Sequence, residues 1–265
     1  MFKPKAADMN NIVWNFKALV ALSAMVLLVG GCASNGEDRV MAGEVEVSDP
    51  FEKANRAIFS FNTAVDKAVI HPVAKGYNAV VPNPARTGID NALKNLRSPA
   101  NFANQVLQGD FDGAGNVVVR AVVNTLLGLG GLVDLAGHEG IEYEVEDFGQ
   151  TLATWGVGHG PYLVVPILGP SSTRDYIGYA VDSFADPLRW YLFNIEEEGI
   201  YYGKVGADYL NLRASLVDVL EDLEKSSIDY YAATRSAYYQ RREALVNDQG
   251  SDVITAPAIP DYDDY

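Results

Sequence analysis

An all-α protein is what the sequence predicts, and three observations predict it. Apolar residues recur at steps of three and four through most of the chain, which lays one stripe along each of several helices. Acceptor side chains stand three residues ahead of a partner at Asp49/Glu52, Asp147/Gln150 and Ser172/Asp175, the pattern of helix openings. The extended apolar run at 161–170 carries Pro161, Pro166 and Pro170, which withhold three backbone donors and bar it from the middle of a sheet.

In chain order, Lys3, Lys5 and Lys17 precede small and apolar residues over 18–29, and the run ends in Val29-Gly30-Gly31-Cys32. A bilayer span needs about 20 apolar residues, so residues 1–31 read as a signal peptide. The ending resembles a bacterial lipobox, in which the cysteine receives lipid and becomes the new N-terminus. Cys32, the only cysteine, is the expected lipid attachment, against the alternative of an incidental buried thiol. Ala33 stands where an aspartate would favour inner-membrane retention in bacterial lipoproteins, so delivery to the outer membrane is implied. The small, polar and acidic residues that follow make 32–48 a flexible tether.

Removing residues 1–31 takes away three lysines and Asp8, which moves the formal charge from −15 to −17. A basic stripe for nucleic acid is absent, and so is a polybasic patch for anionic headgroups. The acid either faces a soluble basic partner or serves solubility.

Asp49-Pro50-Phe51-Glu52 predicts an N-capped helix that runs to about Ile70, with Phe51, Ala54, Ile58, Phe61, Val65 and Ala68 on its buried stripe. His71-Pro72 is expected to stop it and 72–84 to be a connector. A second amphipathic helix covers 85–97, with Ile89, Leu93 and Leu96 on one face. Ser98-Pro99 opens a third, which Gly109 closes.

Over 111–137 the polar residues Asp112, Asn116, Arg120 and Asn124 recur every four positions among apolar neighbours. Either this helix is buried and its polar stripe is satisfied within the protein, or it lies in lipid with the stripe facing a wet passage. On the second reading Asn116, Arg120 and Asn124 line a channel, with Arg120 placed to meet phosphate. Gly128, Gly130 and Gly131 break the run, and Leu132, Val133 and Leu135 resume it, as in a glycine-turned apolar hairpin.

A short helix opens at Asp147 and ends at Gly156, Gly158 and Gly160; Ser172 and Asp175 restart a helix after the proline run. With Pro161, Pro166 and Pro170, these glycines form an irregular apolar connector, expected beside the 111–137 hairpin as a channel wall. A long helix over about 200–225 places Val205, Tyr209, Leu212, Leu216, Leu220 and Leu223 on a core stripe. The last helix holds DYYAATRSAYYQRRE, whose tyrosines suit a core with polar handles or the wet edge of a bilayer, core packing being favoured. Acidic sequence without periodicity makes 248–265 a disordered tail.

The stretches DPFEKANRAIFSFN, PANFANQVLQGD, VVNTLLGLGGLVDLAG and DFGQTLATWGVGHGPYLVVPILGPSSTRD resemble the MlaA/VacJ family of outer-membrane lipoproteins, over about 49–247. The resemblance implies a ring-like bundle of helices lying in the inner leaflet of the outer membrane, on its periplasmic side, around a central channel. It implies a passive conduit without cofactor, which takes phospholipids from the outer leaflet and passes them to a soluble periplasmic carrier, in association with trimeric porins. An adaptor lipoprotein that organises porins without moving lipid is the alternative, and a periplasmic hydrolase comes third.

An enzyme reading finds little in the residues. His71, His138 and His159 lack metal-binding spacing, no G-x-S-x-G elbow occurs, and GVGHG at 156–160 lacks the dinucleotide spacing. Neither catalytic nor metal-binding residues are expected.

Overall fold

The computed structural model describes residues 39–42 and 45–247. Cys32, the segment expected as a signal peptide, most of the expected tether and the expected acidic tail lie outside them. As expected the protein is overwhelmingly helical, and no described helix is long and apolar enough to cross a membrane.

The described residues begin inside the segment expected as a tether. Strands β1 (Arg39–Ala42) and β2 (Val45–Ser48) pair antiparallel, and Val47 is buried. Helix α1 (Glu52–Val65) starts with no side-chain cap. Asp49 is instead drawn inward, where it accepts from Asn55 Nδ2 at 2.8 Å, Tyr231 Oη at 2.6 Å and Arg235.

His71-Pro72 does not end the helical path. A five-residue π segment, Asp66–Ile70, follows α1, and α2 (His71–Val80) continues from it with Pro72 near its start, where a missing N–H leaves no gap. The connector expected over 72–84 is therefore mostly helix. Next come α3 (Asn83–Leu96) and α4 (Ser98–Gln108). Ser98 lies inside α4 rather than capping it, and Gly109, at φ +86°, closes it as expected. Helix α5 (Phe111–Leu126) is capped by Asp110, and the four-residue α6 (Leu135–His138) by Asp134.

Helix α7 (Phe148–Thr154) and α8 (Thr173–Ala185) carry the two predicted caps: Asp147 accepts from Gln150 N and Ser172 from Asp175 N. The two helices cross with backbones touching, since a Cβ on Gly178 would lie 2.3 Å from Gly149 N. Between them the proline run forms a two-stranded ribbon, β3 (Tyr162–Val165) against β4 (Gly169–Ser172). Pro170 stands opposite Val164, and Pro166 lies in the turn. Two asparagines of α1 satisfy the free edge of β3. Asn55 donates to Tyr162 O and accepts from Val164 N, each at 3.0 Å; Asn62 does the same at 2.9 Å with Val165 O and Ile167 N.

The remaining helices are α9 (Pro187–Asn194), α10 (Glu198–Ser215), α11 (Val217–Ser226) and α12 (Tyr230–Val246). The predicted helix over 200–225 thus breaks at Leu216. The apolar core is small. Val47, Tyr162, Val164, Tyr231 and Tyr239 make one cluster; Ala74, Ala214 and Val217 make another. The tyrosines of the last helix pack in the core, with Tyr162 5.9 Å from Tyr239 and 6.0 Å from Tyr231 between ring centroids.

Polar groups do much of the remaining binding together. Helix α12 ties distant segments through arginines: Arg235 reaches Asp49, and Arg242 reaches Asp147 at 2.6 Å and Asp175 at 3.0 Å. Burial pushes the Asp175 carboxyl up, but Arg242, Arg174 and Tyr238 together hold it below the usual range.

Candidate functional site

Burial in this protein runs opposite to that of a soluble domain. Among the described residues sixteen polar or charged ones are buried, whereas large apolar side chains from Phe61 to Ile228 lie exposed. The contrast is sharpest on α5 and the turn that follows it. Leu126, Leu127 and Leu129 are 74%, 70% and 73% exposed, while Arg120 and Asn124 on the opposite face are 7% and 5% exposed. An apolar surface of this kind on a polar interior fits lipid better than water.

The polar stripe of α5 divides: Arg120 and Asn124 are buried and bonded within the protein, Asp112 and Asn116 are exposed, and Val118, Val119, Val122 and Leu126 are bare. Arg120 Nη2 bonds Asp134 at 2.7 Å, and Nη1 donates to Ile141 O. Asn124 Nδ2 donates to Asp134 at 2.8 Å, and its Oδ1 accepts from Ala136 N at 3.0 Å. Burial acts to raise the Asp134 pKa, yet Arg120, Gly137 N–H and Asn124 hold it below the usual carboxylate range. Asn116 is exposed and apart from this knot. Leu129, Gly130 and Gly131 take positive φ in the turn after α5, and the Asn124–Asp134 bond closes across it. The cleft beside Arg120 has a volume of about 10 Å³, room for one water molecule.

A far larger cavity, about 680 Å³, lies elsewhere, between the π segment, the ribbon turn and helices α10 to α12. Leu212, Leu216, Leu220, Ile70, Ile167 and Leu168 supply apolar wall. The stripe expected to be core, Tyr209 to Leu220, therefore faces this cavity, and Leu212 is 49% exposed. Along the same wall runs a row of charges. Arg213 grips Asp66 with Nε and Nη2, both at 2.7 Å; Lys67 meets Glu224 at 2.5 Å; Lys225 and His71 meet Glu221 at 2.9 and 3.3 Å. Asp66 raises the pKa of Arg213 against the lowering effect of burial. An apolar chamber with balanced charges on one wall can hold a molecule that is oily along its length and polar at one end.

The connector residues divide. Gly156, at positive φ, follows the C-cap of α7; Gly160 also takes positive φ, and Gly158 lies between them. Pro161 O accepts from Thr173 N at 3.0 Å. The ribbon packs on α1, α8 and α12 rather than on α5, and its turn, 167–170, forms a lip of the large cavity. Sequence reading missed Asp66, Arg213 and the asparagines Asn55 and Asn62. The two asparagines stand seven residues apart on one face of α1, a polar pair on an otherwise apolar stripe that could have marked them. Among the described residues no cluster of His, Cys, Asp or Glu could hold a metal ion.

Comparison with known proteins bears on this geometry. A family model described as MlaA lipoprotein matches residues 47–245. An Escherichia coli protein named intermembrane phospholipid transport system lipoprotein MlaA is 37% identical over 234 residues, 86% of this chain and 88% of its own. Its namesake in Haemophilus influenzae is 32% identical over 92% of this chain and 95% of its own. A solved structure, described as the structural basis for maintenance of bacterial outer membrane lipid asymmetry, superposes with a TM-score of 0.66. It shares 36% identity and covers 76% of this chain and all of its own.

Proposed function

Because this chain belongs to the MlaA lipoprotein family, we propose that it is a passive phospholipid conduit held at the periplasmic face of the outer membrane. Lipid on Cys32 anchors it, and the exposed apolar faces of α5 and the glycine turn sit in the inner leaflet. It removes phospholipid that has strayed into the outer leaflet and hands it to a soluble periplasmic carrier, in company with trimeric porins. The observation that carries this reading is the 680 Å³ cavity with one charged wall, in a body whose outside is apolar and whose inside is polar.

The physical basis is differential solvation. A headgroup that crosses a bilayer bare loses its water, and that loss is the barrier to spontaneous flipping. The Asp66, Lys67, Arg213 and Glu224 row offers replacement partners, while Leu212, Leu216 and Leu220 keep the acyl chains in apolar surroundings. No bond is made or broken, so neither catalytic residue nor cofactor has a part. In this reading the passage is the large cavity, with the 167–170 turn as part of its wall. Arg120 and Asn124 brace the glycine turn, and Asn116 stands outside that brace.

The test is transfer. Protein purified from membranes should carry phospholipid and pass labelled lipid from donor vesicles to the soluble carrier. Capture of no lipid, with porins still bound, would favour the adaptor; release of free fatty acid would favour the hydrolase.

A further inference from the structure

We propose that Arg213 is the phosphodiester-binding residue of the cavity, and that the π segment at Asp66–Ile70 exists to present it. This rests on the lipid-conduit reading and names the group that recognises the cargo. A guanidinium has five N–H donors. Asp66 takes Nε and Nη2 in a bidentate grip, and Nη2 also faces His71 Nδ1 at 3.0 Å. Nη1 has no hydrogen-bond partner among the described residues. The side chain is 91% buried, being 9% exposed, and Arg213 lines the cavity. A buried charged donor without an acceptor is costly, and phosphate oxygen is the acceptor that best matches a guanidinium edge.

The surroundings favour a lipid phosphate over a free anion. Leu212 and Leu216 flank Arg213 in the cavity wall, so a phosphate on Nη1 has apolar surface beside it for the rest of a lipid. His71 accepts from Arg213 on Nδ1, which leaves Nε2 to carry the hydrogen toward Glu221 at 3.3 Å. Glu221 also holds Lys75 at 2.6 Å and Lys225 at 2.9 Å. The guanidinium is thereby fixed through Nε and Nη2 by Asp66 and His71, which leaves Nη1 as the unpaired nitrogen of a side chain that lines the chamber. Asp66 is the first residue of the π segment and His71 follows its last, so the wider turn sets both partners of Arg213.

Paired substitution tests this without leaving a stranded charge. In Asp66→Asn/Arg213→Gln the two amides can still bond each other, so the fold is kept, but the phosphate donor is gone. Arg213→Lys is the second variant; it keeps the charge opposite Asp66 and loses the fork. Full-length protein in detergent is offered three probes: phosphatidylethanolamine, diacylglycerol with the same chains, and inorganic phosphate. Wild type should capture phosphatidylethanolamine, and both variants should lose about tenfold in that affinity while diacylglycerol capture stays equal across all three. Equal phosphatidylethanolamine capture by wild type and both variants, at unchanged melting temperature, would overturn the role of Arg213. Displacement of bound lipid by millimolar inorganic phosphate would also overturn it, in favour of a free-anion site. Capture of neither lipid by wild type would instead sink the conduit reading on which the proposal rests.

Discussion

Two buried arginines, each held by an aspartate, sit in settings that differ in nearly everything else. Arg120 gives both terminal nitrogens to the protein, bonding Asp134 and Ile141 O beside a cleft with room for one water. Arg213 grips Asp66 through Nε and Nη2 and keeps Nη1 unpaired in the wall of a chamber of about 680 Å³. The first arginine closes a turn; the second faces a cargo. A buried cation is therefore not a site by virtue of being buried. What matters is whether its donors are all engaged and whether room lies beside the one that is not.

The largest expected effect breaks the comparison at its closed end. Arg120→Leu leaves the Asp134 carboxylate without its cation, and the expected loss is about 3 kcal/mol in urea unfolding. Unchanged stability together with lost lipid transfer would exchange the roles of the two arginines. A step smaller, Asn55→Ala removes two of the hydrogen bonds that hold β3 to α1 and one to Asp49, which should cost about 2 kcal/mol by the same measurement. Asn62→Ala frees only the ribbon turn at the cavity lip, so about 1 kcal/mol is expected, with faster lipid exchange as the distinguishing readout.

Acid sharpens the contrast between networks. Burial, with Arg174 in support, lowers the His159 pKa below its ordinary 6.5. The unfolded chain then takes up this proton at higher pH than the folded one, so stability is lost as pH falls below 6.5. Asp175, also held low, keeps its contribution until pH falls below the ordinary carboxylate value of 3.8. Thermal melts from pH 7.5 down should show the earlier loss, and His159→Gln should remove it while the later one stays. The smallest effect on folding belongs to the outer face. Leu126→Ser should shift stability by no more than about 0.5 kcal/mol, because that side chain is already bare. Binding of the protein to vesicles should still weaken; equal binding would mean that α5 does not touch lipid.

Helical periodicity made much of the fold legible, since α3, α4, α5, α7 and α8 fall close to where stripes and caps place them. Local rules failed where tertiary partners overrode them. Asp49 has the position of a cap, but Arg235 and Tyr231 draw it into the core. Pro72 has the look of a stop, yet a π segment passes the chain straight into it. The proline ribbon was hidden because its edge is satisfied by asparagine side chains from about a hundred residues away, which no local pattern reports. The site was harder still. Arg120 stood out as a lone charge on an apolar helix, whereas Arg213 lay among residues that looked like an ordinary core stripe. A stripe that faces a chamber and a stripe that faces a core have the same spacing.

Photo-crosslinking puts the central claim to its most direct test. A photoreactive side chain at Leu216, on the chamber wall, is compared with one at Asn91, beside the Arg120 cleft, in protein held in native membranes. The account predicts a phospholipid adduct at position 216 and none at 91. Adducts at 91 alone, or at neither position, would contradict it.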